Sequence, residues 1–290
     1  MSVTALRGWS LRNPWAIAKP SALPGFGITF GFAVTYLSLI VLIPLAVLVG
    51  RASELGFDGI WRAATTPRVL AAFQVSFFIA AASALINAFF GVIVAWVLVR
   101  YDFPGKRLLD GAVDLPFALP TAVAGIALAA LYATNGWIGA LFAPWDIKVA
   151  FTPWGILVAL VFIGLPFVVR TVQPVLQDLD REVEEASATL GATRRQTIFR
   201  VILPALLPAI LTGVALAFAR AVGEYGSVIF IAGNMPFVSE IAPLLIVTKL
   251  EEFDYAGAAA IATVMLAISF LALLAINGVQ AFAQRRFGHV

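Results

Sequence analysis

Glu184 to Pro204 reads "EEASATLGATRRQTIFRVILP" and carries five charged side chains, yet it lies between two long apolar runs. Val183, Ala186 and Leu190 fall at i, i+3 and i+7, the spacing of one helical face. Gly191 is a helix stop. Thr193 is an N-cap residue type, and Gln196 three positions on completes a capping box. The spacing predicts two short helices hinged at Gly191, the second over about 194–202, with Pro204 and Pro208 opening the next apolar run. Asp178, Asp180, Glu182, Glu184 and Glu185 precede the glycine; Arg194, Arg195 and Arg200 follow it. The middle of the first helix is small: Ala186, Ser187 and Ala188. Such a surface fits deep in a groove of another protein. An amphipathic linker lying against a bilayer would show the same pattern.

The surrounding chain decides where this segment sits. Of the 290 residues 61% are hydrophobic and 12% charged, about half the charge of an ordinary globular domain, and the mean hydropathy is +0.97. A hydrocarbon core of about 30 Å needs about 20 helical residues. Six runs reach that length, at roughly 28–50, 69–99, 112–134, 153–173, 206–232 and 256–282. In lipid a spanning helix satisfies its own backbone, so the expected fold is an all-α membrane protein of six transmembrane helices. The first run is longer than a signal-peptide core and reads as an uncleaved span. With the N-terminus inside, thirteen Lys and Arg fall in the cytoplasmic loops and five in the outer ones. Both termini are therefore expected in the cytoplasm, as segments 1–27 and 283–290, and so is the loop 181–204.

Patterns within the runs predict packing. Ser76, Ala80, Ser83, Asn87 and Gly91 form one small, polar stripe on the second span. Pro120 should kink the third span, and Gly164 with Pro166 the fourth. "SEIAPLLIVTKL" in the outer loop is too short to span and reads as an interfacial or re-entrant helix. Arg100 and Arg170 read as snorkelling anchors, Asp114 as a helix-start acid, and Trp96, Trp137, Trp145 and Trp154 as an interfacial belt.

Arg220 and Glu224 lie at i, i+4 within the fifth span, on one stripe with Gly213 and Ala217. A charge at mid-membrane costs about 2.5–3.5 kcal/mol on insertion scales, so the pair requires a reason. One reading is a gate or pathway element that attracts an anion; the other is an internal structural ion pair. Gly223 and Gly226 flank Glu224, and an unwound turn there would offer backbone N–H donors.

Several chemistries are excluded. There is no Cys, and the single His, His289, stands beside the C-terminus. Neither G-x-S-x-G nor H-E-x-x-H occurs, and the one Gly-Lys, Gly105-Lys106, lacks the rest of a P-loop. The basic residues are dispersed, which points to the bilayer and not to nucleic acid.

The pattern E-A-S, three residues, Gly191, nine residues, V-I-L-P resembles the EAA loop of type I ABC importer permeases. Glu185, Ala186, Gly191, Leu203 and Pro204 match that pattern, while Ser187 replaces its second alanine and Val201 its isoleucine. The resemblance implies the permease fold and makes the loop a coupling helix, docked in a cleft of an ATPase. It implies a chain that is not an enzyme and binds no cofactor, with ATP and Mg on the partner. "RYDFPGKRLLDGAVDLPFALPTAVAG", "PFVVRTVQPVL", "RAVGEYGSVIFIAGN" and "EFDYAGAAAIA" resemble the CysT-type branch, the permeases of sulfate and thiosulfate importers. That similarity covers about residues 24–282. It implies a CysW-like second permease, a CysA-like ATPase dimer and an extracytoplasmic sulfate-binding protein. Molybdate and tungstate permeases share part of the pattern and are the alternative. A secondary transporter or channel is the rival class, and the six runs show no inverted repeat to support it.

Overall fold

The computed structural model describes residues 26–287, and every element in them is helical. The expected segment 1–27, apart from its last two residues, lies outside the described residues, as does His289. Five helices are long and apolar enough to cross a membrane. They are α1 (Phe26–Ser53), α3 (Pro67–Arg100), α6 (Pro153–Asp178), α8 (Arg194–Val222) and the helix Tyr255–Phe287, denoted α10. Shorter helices are α2 (Gly56–Ala64), α4 (Lys106–Val113), α5 (Thr121–Tyr132), α7 (Arg181–Thr189) and α9 (Ala242–Glu251). Residues up to Leu48 form one unit, almost wholly helical where described, with a π-helical turn at Ser38–Leu42. The second unit, from Val49 onward, holds the packed core.

The helix starts follow from local chemistry. Pro67 and Pro153 take the first helical position, where no N–H is needed. Thr152 Oγ1 accepts from Trp154 N at 3.3 Å. Asp254 Oδ1 accepts from Gly257 N at 2.9 Å at the head of α10.

Helices α3, α6 and α8 pack on one another and form the centre of the second unit. Small residues set their separation. Ser76, Ala80, Ser83, Asn87 and Gly91, the stripe read from the sequence, are all buried on α3. A Cβ on Gly91 would stand 2.8 Å from Val168 Cγ1, and one on Gly213 would stand 2.8 Å from Val168 Cα. The fully buried Val168 is therefore held between two glycines, one on α3 and one on α8. Helix α9, from the stretch expected in an outer loop, buries Ala242 and Leu245 and packs on α3 and α10. Its first N–H donates to Ser76 Oγ at 2.8 Å.

Two expected spans are broken. The run 112–134 is not one kinked helix. It divides into the end of α4, a turn at Leu115–Ala118 and α5. Leu119 is extended at ψ 134° because Pro120 crowds it out of the helical region, and Pro120 itself leaves the helix at ψ 133°. The 12 residues of α5 reach about 18 Å at 1.5 Å each. The run 206–232 breaks as well: α8 stops at Val222, and a short turn resumes at Val228–Ile231. At its other end α8 is longer than expected. The predicted second short helix does not end before Pro204 but continues through a π-helical stretch, Ile198–Ile202, into the span. Leu203 N donates to Ile198 O there, and the widened turn precedes Pro204, which has no N–H to donate.

Candidate coupling loop and translocation site

The loop is built as a stop, a hinge and a restart. Helix α7 ends in a Schellman motif: Ala192 N donates to Ser187 O at 3.0 Å and Gly191 N to Ala188 O at 2.9 Å. Gly191 takes φ 80°, the left-handed conformation the motif requires and glycine adopts without cost. Thr193 then caps α8. Its N–H donates to Gln196 Oε1 at 2.8 Å, and its Oγ1 accepts from Gln196 N at 3.4 Å, the reciprocal capping box read from the sequence.

Glu185, Ala186, Ala188 and Thr189 on α7 are exposed, and Leu190 just beyond it is 88% exposed. Val183, Ala186 and Leu190 therefore do not bury a common face; Val183 alone is half-buried. Ser187 is turned the other way and buried, with its hydroxyl 2.8 Å from that of Thr197 on α8. Ser187, where the resembled pattern has alanine, thus ties the loop to α8. Leu203 and Pro204 are half-buried within α8 and not in a separate connector.

Other polar contacts near this end were not legible as pairs. Arg100, expected to snorkel, is 11% exposed and pairs with Glu184 at 2.5 Å. Its guanidinium lies 5.8 Å above the Trp96 ring, a cation–π contact. Arg170 forms a clamp: Nε and Nη2 grip Asp114 at 2.9 and 2.6 Å, while Nη1 reaches Asp110 at 2.7 Å. Asp114 is thus the ligand of a bidentate arginine, beyond any helix-start role, and α4 is strapped to α6.

The intramembrane pair forms as the spacing predicts. Arg220 Nη1 stands 2.5 Å from Glu224 Oε2. The partners differ in access: the Glu224 side chain is 2% exposed and that of Arg220 35%. The other carboxylate oxygen, Oε1, accepts from Ser227 N and Ser227 Oγ, each at 2.9 Å. Glu224 therefore closes the break after α8, and the N–H of Ser227 donates to it and is not left open for an anion. Helix α5 lies directly on this break. A Cβ on Gly125 would stand 2.3 Å from Ser227 O, and one on Gly226 would stand 2.2 Å from Thr121 Oγ1. Sequence reasoning did not single out Thr121 or Gly125, although the backbone approach makes glycine necessary at 125. Gly223 ends α8 with open space where a side chain would be.

At the opposite end of α3 from Arg100, Arg68 holds Glu240 in a two-pronged pair, Nε to Oε2 at 2.8 Å and Nη2 to Oε1 at 2.6 Å, with Glu240 3% exposed. The 172-residue separation left no sequence signal for it.

Among the described residues the chain is an all-helical membrane bundle with a charged break after α8 and a hinged polar loop before it. Residues 87–289 match the family described as binding-protein-dependent transport system inner membrane component, and the chain belongs to that family. It is a multi-pass inner-membrane protein and a non-catalytic permease chain; ATP hydrolysis belongs to a separate subunit. A second permease, an ATPase and a binding protein follow from that membership. Among its relatives is the sulfate transport system permease protein CysT of Synechocystis sp., 53% identical over 235 residues, 81% of this chain and 82% of that one. The protein of the same name in Escherichia coli is 49% identical over 242 residues, 83% of this chain and 87% of the other. The solved structure of a bacterial alginate ABC transporter with its alginate-bound periplasmic protein aligns with a TM-score of 0.72 at 16% identity, covering 90% of this chain and 94% of that chain. The MetNI methionine transporter aligns at 0.53 and 15% identity, covering 76% of this chain and 99% of its own. These two show the fold.

Proposed function

We propose that this chain is the sulfate permease of an ATP-driven importer, moving sulfate and thiosulfate into the cell. The observation that carries the substrate is the identity of about one half, over four fifths of the chain, to permeases named for sulfate transport. In this reading α1, α3, α6, α8 and α10 cross the bilayer, and the broken segment 112–134 supplies the sixth crossing with both termini in the cytoplasm. A CysW-like permease completes the pathway, a CysA-like ATPase dimer binds ATP and Mg, and a sulfate-binding protein delivers the anion outside.

The loop 181–204 is the docking lever. Its exposed face sets the small Ala186 beside the charged Glu185 and a protruding Leu190, which suits insertion into a cleft. Ser187 and the Gly191 hinge hold it, and Leu203 and Pro204 join it to the span without a flexible break. Arg220, Gly223 and Glu224 border the pathway. The open space at Gly223 and the accessible guanidinium of Arg220 support that placement, because an anion could reach both.

The purified complex with its binding protein tests the substrate. Sulfate and thiosulfate are expected to stimulate its ATPase activity; stimulation by molybdate alone would overturn the assignment. Arg220→Ala is expected to depress sulfate uptake at unchanged protein level, and normal uptake would remove Arg220 from the pathway.

A further inference from the structure

Helix α7 is joined to the rest of the chain mainly by polar pins, Val183 being its one half-buried apolar side chain among those described. None of its described apolar side chains is buried. Two cavities of about 250 and 270 Å³ open beside it, both bordered by Trp96, Glu184 and Arg194. Among its described side chains, two polar contacts join it to the spans. The hydroxyls of Ser187 and Thr197 meet at 2.8 Å and lead to α8. Glu184 turns away from the exposed Glu185 and pairs with Arg100 at the last turn of α3. The adjacent acids thus differ in setting: Glu185 is exposed, whereas Glu184 is half-buried against the end of α3, and both border one cavity.

We infer that Glu184 and Arg100 are positioning residues for energy coupling, transmitting displacement of the docking loop to α3. The inference rests on the reading of the loop as the ATPase docking site. A packed apolar interface would spread a force over many atoms and tolerate the loss of one. Here, among the described side chains of α7, the path to α3 is one ion pair with open volume around it, and Arg100 also donates at 3.5 Å to Leu179 O just before the helix. Separating it strands a guanidinium that is nine-tenths covered and already seated on Trp96, so the pair resists being pulled apart. The Ser187–Thr197 hydrogen bond is neutral and weaker, and leads to a different span. Motion of α7 therefore reaches α3 through Arg100 and α8 through Thr197, the two spans that grip α6 between them.

The test uses the full complex in proteoliposomes and reads ATPase co-purification, ATP hydrolysis and sulfate uptake together. Glu184→Gln and Arg100→Gln are expected to keep the ATPase bound and active while sulfate moved per ATP falls about 5-fold or more, the span of an ordinary coupling energy. Arg100→Lys and the exchanged pair, Glu184→Arg with Arg100→Glu, should recover most of the loss. Single variants with unchanged transport per ATP would overturn the inference. So would rescue variants as uncoupled as Arg100→Gln, or loss of the ATPase from Glu184→Gln, which would make the pair a docking element. Failure of the docking assignment itself has a different signature: Glu185→Lys and Gly191→Pro complexes that retain the ATPase.

Discussion

Replacing Glu224 with alanine removes a carboxylate that serves three donors at once. Ser227 N and Ser227 Oγ lose their acceptor, and both belong to a residue with no exposed surface. Arg220 loses its counter-charge. An orphaned buried donor costs about 1–3 kcal/mol, and breaking a fully buried ion pair about 3–5 kcal/mol. The guanidinium is about one third exposed and can rehydrate, so the expected loss lies at the lower end, about 3 kcal/mol. Glutamine keeps an oxygen for Ser227 and forfeits only the charge facing Arg220, so its loss should be about 1–2 kcal/mol. Thermal unfolding of the detergent-solubilised chain should rank wild type above Glu224→Gln and Glu224→Ala last. If glutamine and alanine cost the same, the Ser227 bonds do not hold the break. If neither costs anything, the segment 223–227 is not organised by Glu224.

Three further outcomes follow from the packing. Arg170→Lys loses the two-pronged grip on Asp114 and the reach to Asp110; with both acids about half exposed, the loss should be about 1–2 kcal/mol, seen as faster proteolysis within 102–119. Gly213→Ala forces a methyl against the Val168 backbone and should destabilise by about 1–3 kcal/mol, whereas Gly223→Ala, with open space and φ −87°, should leave the melting temperature unchanged. Thr193→Ala removes half the capping box and should cost about 1 kcal/mol, read as faster hydrogen exchange over 190–197.

What was legible in the sequence was what spacing encodes. The Gly191 stop, the Thr193–Gln196 box, the α3 stripe and the Arg220–Glu224 pair all lie within a few turns of one helix, where period and position determine who meets whom. The breaks were less legible. "GEYGSVIFIA" continues an apolar run, and hydropathy does not register that Glu224 can replace a turn of backbone bonding. Pro120 pointed to a kink, but the extended Leu119 before it completed a break. Partners on different elements left no trace: Glu184 with Arg100, Asp110 and Asp114 with Arg170, Glu240 with Arg68. Each arginine could be read alone as an anchor, because its acid comes into reach only when the bundle folds. The outward turn of Leu190 was hidden for a related reason, since its periodicity matches a buried face and only the tertiary placement of α7 reverses it.

The most direct test of the account is sulfate accumulation in vesicles. Proteoliposomes holding this chain with its second permease and ATPase are given the binding protein outside and ATP inside, and labelled sulfate is followed. The account predicts accumulation against a gradient that requires ATP and the binding protein, and that is abolished by Gly191→Pro. Uptake that proceeds without ATP, or survives Gly191→Pro at the wild-type rate, would contradict it.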